Sequence, residues 1–223
     1  MKGVTMSEKT TTVGEVNMGR WISQGWDLIF SDIGPILLLT LIYVVVIVVA
    51  SSTVIGWFIV AGPLTVGFLY VLLGMRQGKP VAIGDIGVGF NLFAAAVLSN
   101  ILISFFVSLG LTLCIIPGIL VAALYLLAPA FIAAQKLDFW EAMEASRKRI
   151  TPHLFEMSVF VLLLLLINLA GVLLCGIGIF ISIPLSFAAV AVAYDDLVGV
   201  QKKDLAVNKE GGEVKSGGRR VKK

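Results

Sequence analysis

The chain has 223 residues, of which 58% are apolar and 14% charged, with a formal net charge of +3 and a mean hydropathy of +1.00. Soluble domains carry about 25% charged residues, so this composition excludes a water-soluble globule and leaves lipid as the solvent. One histidine and two cysteines exclude both a metal-ligating cluster of the usual spacing and a disulfide scaffold.

Residues 1–19 form a polar segment with no apolar stretch after Lys2 and Lys9, so no cleaved signal peptide is expected and the first span is expected to act as the insertion signal. The membrane domain is placed at 20–198. It opens with Arg20–Ile33, where Ile22, Trp26, Ile29 and Ile33 share one helical face and Ser23, Gln24, Asp27 and Ser31 the other. This pattern predicts an amphipathic helix lying in the interface, with Trp21 and Trp26 meeting lipid or a partner.

Three stretches then lack any Lys, Arg, Asp, Glu or His: Ile33–Met75, Ile86–Gln135 and Met157–Tyr194. As single helices they would be roughly 57 to 75 Å long, about twice the ~30 Å of hydrocarbon in a bilayer. Each must fold back once. Breakers near their centres mark the turns: Ser51-Ser52-Thr53 with Gly56, Pro117-Gly118, and Gly176 with Gly178. The predicted fold is all-α and polytopic, six transmembrane helices in three helical hairpins, near 34–52, 55–75, 93–114, 117–135, 155–175 and 178–194. Each second helix holds a proline, Pro63, Pro129 or Pro184, which predicts a kink packed against a neighbour.

Between the first two hairpins, Pro80–Phe90 with Gly84, Gly87 and Gly89 reads as a loop or broken helix. Between the second and third, Leu137–Ile150 reads as a helix with a face of Phe139, Met143, Ser146 and Ile150. Asp138 and Glu141 have the form of a capping box, Glu144 and Lys148 that of an i,i+4 pair, and Thr151-Pro152 that of a stop. This helix is the expected contact surface, with Trp140 at the membrane edge and Arg147, Lys148 and Arg149 facing lipid phosphates or a partner's carboxylates.

Two frames, Gly110-Leu-Thr-Leu-Cys114 and Gly171-Val-Leu-Leu-Cys175, are offset by 61 positions and suggest related units. They put both cysteines at outer tips, where a Cys114–Cys175 disulfide would form if the Cα atoms approach within about 7 Å. With six spans, all 17 basic residues fall on one side, which the positive-inside bias assigns to the cytoplasm together with both termini. The expected location is the cytoplasmic membrane. Residues 199–223 are rich in Lys, Glu, Gly and Ser and read as a disordered basic tail, held near anionic lipid at about 1 kcal/mol per basic residue.

The spans contain no ionisable acid, base or nucleophile pair, and His153 sits at a span end. No Gly-x-Ser-x-Gly, His-Glu-x-x-His or phosphate-loop motif occurs, and Gly84, Gly87 and Gly89 lack the preceding strand of a dinucleotide site. A non-enzymatic protein without cofactor or nucleic-acid partner is expected. Proton coupling is disfavoured because it places Asp, Glu or His near the midplane. Asn100 and Asn168 are read as interhelical hydrogen-bonding groups, or alternatively as solute contacts.

Taken together, Trp21, Gly25 and Trp26, Gly62-Pro63 with Gly67, Ile116-Pro117-Gly118-Ile119, and Glu141-Ala142-Met143 with Ser146 and Lys148 resemble a loose group of prokaryotic six-helix membrane proteins. That group is similar to the membrane domain attached to some glycerophosphodiester phosphodiesterases. The resemblance spans about 20–198 and implies six spans in a prokaryotic cytoplasmic membrane. It carries over no catalytic residue, and the phosphodiesterase activity does not follow from it. The expected role is a membrane-embedded interaction or scaffold module that meets lipids and an unidentified protein. The alternative is an uncoupled channel or carrier for a neutral or amphipathic solute. A continuous polar cavity would favour transport, and close packing the scaffold.

Overall fold

The computed structural model describes residues 16–173 and 178–216, with side chains as far as Gly199 except that of Val54. No strand occurs among the described residues. The helices are α1 (Met18–Ser31), α2 (Ile33–Ala50), α3 (Val54–Arg76), α4 (Val88–Asn91) and α5 (Phe93–Leu113), followed by α6 (Ile115–Leu124), α7 (Ala128–Gln135), α8 (Phe139–Ile150), α9 (Leu154–Leu173) and α10 (Ile179–Ser216). Tight 3-10 turns at Ile83–Gly87 and Thr151–His153 precede α4 and α9.

Six segments are long and apolar enough to cross a membrane: Ile33–Ala50, Ile55–Arg76, Phe93–Leu113, Ile115–Gln135, Phe139–Leu173 and Ile179–Gly199. The fifth joins α8 to α9. Glu141, Glu144, Arg147, Lys148 and Arg149 crowd α8, so α9 carries the apolar run.

Local chemistry explains the turns. The Thr53 side chain accepts the Gly56 N–H and caps α3, satisfying one of the donors that a helix start leaves free. At the second turn the chain reverses at extended Cys114, and Pro117 sits in the first turn of α6. The expected Pro117-Gly118 turn is therefore corrected by three residues, because a proline in a first helical turn loses no intrahelical bond. Gly118 serves instead as a contact. A methyl on Gly110 would come within 2.8 Å of the Gly118 Cα, and one on Gly178 within 2.7 Å of the Gly171 carbonyl oxygen. Both Gly-x-x-x-Cys frames thus use their glycine to bring consecutive helices into backbone contact.

The prolines act differently from one another. Pro63 and Pro184 lie within continuous helices, whereas the span holding Pro129 is broken into α6 and α7. Proline cannot donate to the carbonyl four residues earlier, here that of Tyr125, and its ring crowds it. The Tyr125 carbonyl accepts the Ala128 N–H instead, and the helix restarts with Pro129 in its first turn.

The core lies around α3 and α10. Trp21, Ile36, Leu39, Phe68, Leu72, Leu127, Met157, Phe160 and Leu197 are among its fully buried side chains. Helix α1 corrects the expected interfacial face. Its buried stripe is Trp21, Gly25 and Ile29, while Trp26 and Ile33 face outward. Gly25 decides this, because its missing side chain lets α1 lie against the backbone of Ala188 and Ala189 on α10.

The Pro80–Phe90 segment is a loop that leads into a broken helix, the 3-10 turn Ile83–Gly87 followed by α4. It folds back along α3, with the Ile86 carbonyl on Gly67 and Gly89 on the Pro63 carbonyl, so tightly that a methyl on either glycine would overlap its neighbour. Gly67 lies nine positions before Arg76, about 13 Å along the helix. Helix α10 continues past residue 199 to Ser216. A preformed span supplies the costly helix nucleus, so the Lys, Asp, Leu, Ala and Val that follow need only propagate it.

Candidate functional site around the broken fourth span

Tyr125 lies ten positions before Gln135, about 15 Å along the fourth span. A break there frees backbone carbonyls that lipid cannot satisfy. The Ser146 hydroxyl of α8 donates to the Leu124 carbonyl at 2.7 Å, so α8 seals the break. Its buried residues are Ala142, Met143, Ser146 and Ile150. The expected face is reproduced in Met143, Ser146 and Ile150. Asp138 precedes the helix but makes no side-chain cap bond, a correction to the capping box, whereas Glu144 and Lys148 pair at 2.8 Å.

Three cavities meet at the break. An interior one of about 240 Å³ is lined by Thr65, Ser99, Asn100, Tyr125, Leu126 and Phe187 among others. A groove of about 490 Å³ includes Tyr43, Leu126, Asn168, Ser186 and Phe187 in its walls. A third, of about 340 Å³, is formed by Phe106, Tyr125, Trp140, Met143, Glu144 and Arg147. Tyr125 is a wall of the first and third, and Leu126 of the first and second. Leu126, Phe187 and Val190 line both the interior cavity and the Asn168 groove. The Phe106 and Tyr125 rings stack with centroids 6.3 Å apart, which gives the third cavity an aromatic floor beneath Trp140 and Arg147.

The intramembrane amides each reach across helices. Asn168 Nδ2 donates to the Ser186 hydroxyl at 2.6 Å and to the Leu164 carbonyl at 2.8 Å, and Ser186 donates onward to the Ser182 carbonyl. Asn100 Nδ2 reaches the Phe58 carbonyl on α3 at 3.4 Å. Each amide also borders a cavity.

The six residues expected to meet lipid or a partner do not form one surface. Trp26 is 44% and Trp140 58% exposed, Arg147 and Lys148 point outward, and Arg149 is half-buried. Trp21 is fully buried, which corrects its assignment. Its ring packs edge-to-face on Phe160 with centroids 5.1 Å apart, and its indole N–H donates to Asp196 Oδ2 at 2.7 Å. Cys114 is exposed. Its expected partner Cys175 lies outside the described residues, as does Gly176.

Sequence reading passed over a second cluster, at the end of the bundle where α1 begins and α3 ends. Arg20 pairs with Asp196 at 2.7 Å and Arg76 with Asp195 at 2.5 Å. Gln24 accepts from Arg76 at 3.4 Å, and Gln135 donates to the Tyr194 hydroxyl at 2.8 Å. The available signal was the adjacent Asp195-Asp196 at the close of the last apolar run, since two acids at a membrane boundary require partners. Among the described residues no group of three or more His, Cys, Asp or Glu side chains is placed to hold a metal ion. No family model, curated protein or solved structure matches the chain.

Proposed function

We propose that the chain is a non-enzymatic multi-pass protein of the cytoplasmic membrane, with three helical hairpins and both termini in the cytoplasm. In this reading it is an interaction module that seats an amphipathic membrane molecule at the break of the fourth span. One observation carries the proposal: Tyr125 and Leu126 at the break are walls of cavities that hold Asn100, Asn168 and the Trp140–Arg147 pair. Discontinuous spans with cavities beside them are where membrane proteins place ligands, because the irregular backbone must line protein or a cavity. Arg147 would meet a phosphate at the charged edge while Phe106, Tyr125 and Trp140 cover the upper chain.

The test is photo-crosslinking of the full chain in nanodiscs that contain a phospholipid with a photoreactive acyl chain. Label should map to α5, α6 and α8, and Tyr125→Ala with Trp140→Ala should reduce it severalfold while the fold is retained. Labelling spread evenly over the outward faces of α2 and α9 would overturn the proposal.

A second reading, an uncoupled carrier for a neutral solute, is favoured by the wall that the interior cavity and the Asn168 groove share. Movement of Leu126, Phe187 and Val190 would join the two. Phe187→Ala should then raise uptake of a neutral solute into proteoliposomes, and unchanged uptake removes this reading.

A further inference from the structure

A fourth cavity, of about 230 Å³, lies away from the break, between the end of α3, the folded-back segment and the end of α7. Tyr70, Gly74, Gln77, Lys79, Asp85 and Lys136 are among the residues lining it. Unlike the three cavities at the break, it carries several formal charges from separate parts of the chain.

Each charge is placed by a specific backbone device. Gly78 takes φ +78° and closes α3, with the Lys79 N–H returning to the Gly74 carbonyl at 3.0 Å, so the Lys79 stem lies against Gly74. Lys136 has φ +55°, left-handed for a residue with a side chain, and its N–H caps α7 on the Ile132 carbonyl at 3.0 Å. This conformation costs free energy for a residue other than glycine, and observed strain of this kind clusters where a side chain has a task. Asp85 is held because the next residue, Ile86, is seated on Gly67. Among the described residues, Lys79, Asp85 and Lys136 form no ion pair with one another or with another side chain. Two exposed lysines and a half-buried aspartate, without ion-pair partners among the described residues, therefore border one cleft.

The charge balance selects the ligand class. Two lysines contribute +2 and Asp85 −1. The C-terminal ends of α3 and α7 each contribute about half a negative charge through their last carbonyls. The sum is close to zero, with two cations and one carboxylate carried by three different segments of the chain. A simple anion would gain from the lysines and lose to Asp85 and the helix ends. A zwitterion gains from both.

We infer that this cleft binds a phosphate group joined to a primary ammonium, the chemistry of a phosphoethanolamine headgroup. The phosphate lies between Lys79 and Lys136, and the ammonium donates to Asp85. Tyr70 and Gln77 supply neutral hydrogen-bonding groups to the remaining oxygens. This inference does not depend on the reading of the fourth span, since the two sites share no lining residue.

The test uses the purified full chain and native mass spectrometry to count retained lipids. Phosphatidylethanolamine, phosphatidylcholine and phosphatidylglycerol of matched chains compete in the same micelles, and soluble phosphoethanolamine serves as a separate probe. The ethanolamine lipid should be retained at least fivefold over the other two, because a choline ammonium has no N–H to donate and a glycerol headgroup brings no cation to Asp85. Lys79→Gln with Lys136→Asn should abolish that preference, asparagine being chosen because it tolerates left-handed backbone. Asp85→Asn should turn the preference toward the glycerol lipid, a reversal that loss of folding would not produce. Arg147→Gln with Lys148→Gln should leave it unchanged. Displacement of the lipid by soluble phosphoethanolamine identifies the headgroup as sufficient, and retention against it shows that the acyl chains add to the same headgroup site. Wild-type protein that prefers the glycerol lipid, or an Asp85→Asn variant with unaltered selectivity, overturns the inference.

Discussion

Single hydrogen bonds at the charged end and at the break account for several of the fold's fixed points. Asp196 Oδ2 receives both Arg20 and the Trp21 indole, so its removal leaves two donors without their acceptor in a partly buried place. Hydrogen bonds to charged groups contribute about 1.5–3 kcal/mol, and partial exposure of the pair favours the lower end of that range. Asp196→Ala should therefore cost about 2 kcal/mol in equilibrium unfolding from mixed micelles. Trp21→Phe keeps the ring on Phe160, loses one donor, and should cost about half as much. Equal stability of Asp196→Ala and wild type would show the network to be incidental. Ser146→Ala should cost about 1–2 kcal/mol by leaving the Leu124 carbonyl without its side-chain donor, and should speed hydrogen exchange at Leu126 and Leu127 specifically. Ser146 was legible as a member of the α8 face. Its acceptor was not, because the break it seals depends on Pro129 and on how α8 returns.

At the scale of elements, small residues set the distances between helices. Gly67 and Gly89 are the points where the 83–91 segment touches α3 backbone to backbone, while Gly84 and Gly87 have open space around them. Gly67→Ala or Gly89→Ala must push the segment away and should destabilise by about 3 kcal/mol, the upper part of the range for overpacking. Gly87 has φ −65° and ψ −17°, which alanine adopts readily, so Gly87→Ala should be neutral or stabilise by up to about 1 kcal/mol through the unfolded chain. The three variants look alike in sequence, and a uniform response in thermal unfolding would refute the packing account. The glycines were visible as a group in the sequence, but which of them meet another backbone depends on how the segment folds onto α3.

For the whole molecule, the distribution of charge makes the sharpest expectation. Single cysteines at Ser52 or Gly176, in a background without Cys114 and Cys175, should react with an impermeant maleimide from outside intact cells. One at Ser216 should react only after permeabilisation, and labelling of Ser216 in intact cells would reverse the orientation. The contacts of Arg20, Arg76 and Gln135 with the Asp195–Asp196 and Tyr194 region bring three separate chain segments to the last long helix at one end of the bundle. The sequence by itself determined the helical class, the number of apolar segments and most of their limits. Those quantities are local: bilayer thickness sets the length of an apolar run, and charges mark where it stops. Only the tertiary structure decided which stripe of α1 is buried, that the fourth span breaks, that residues 83–91 fold back along α3, and that Arg20 meets an aspartate 176 positions away. Each of these depends on what a distant segment brings into contact, a glycine that admits a backbone or a carboxylate that answers a cation, and hydropathy along one chain does not record such pairings.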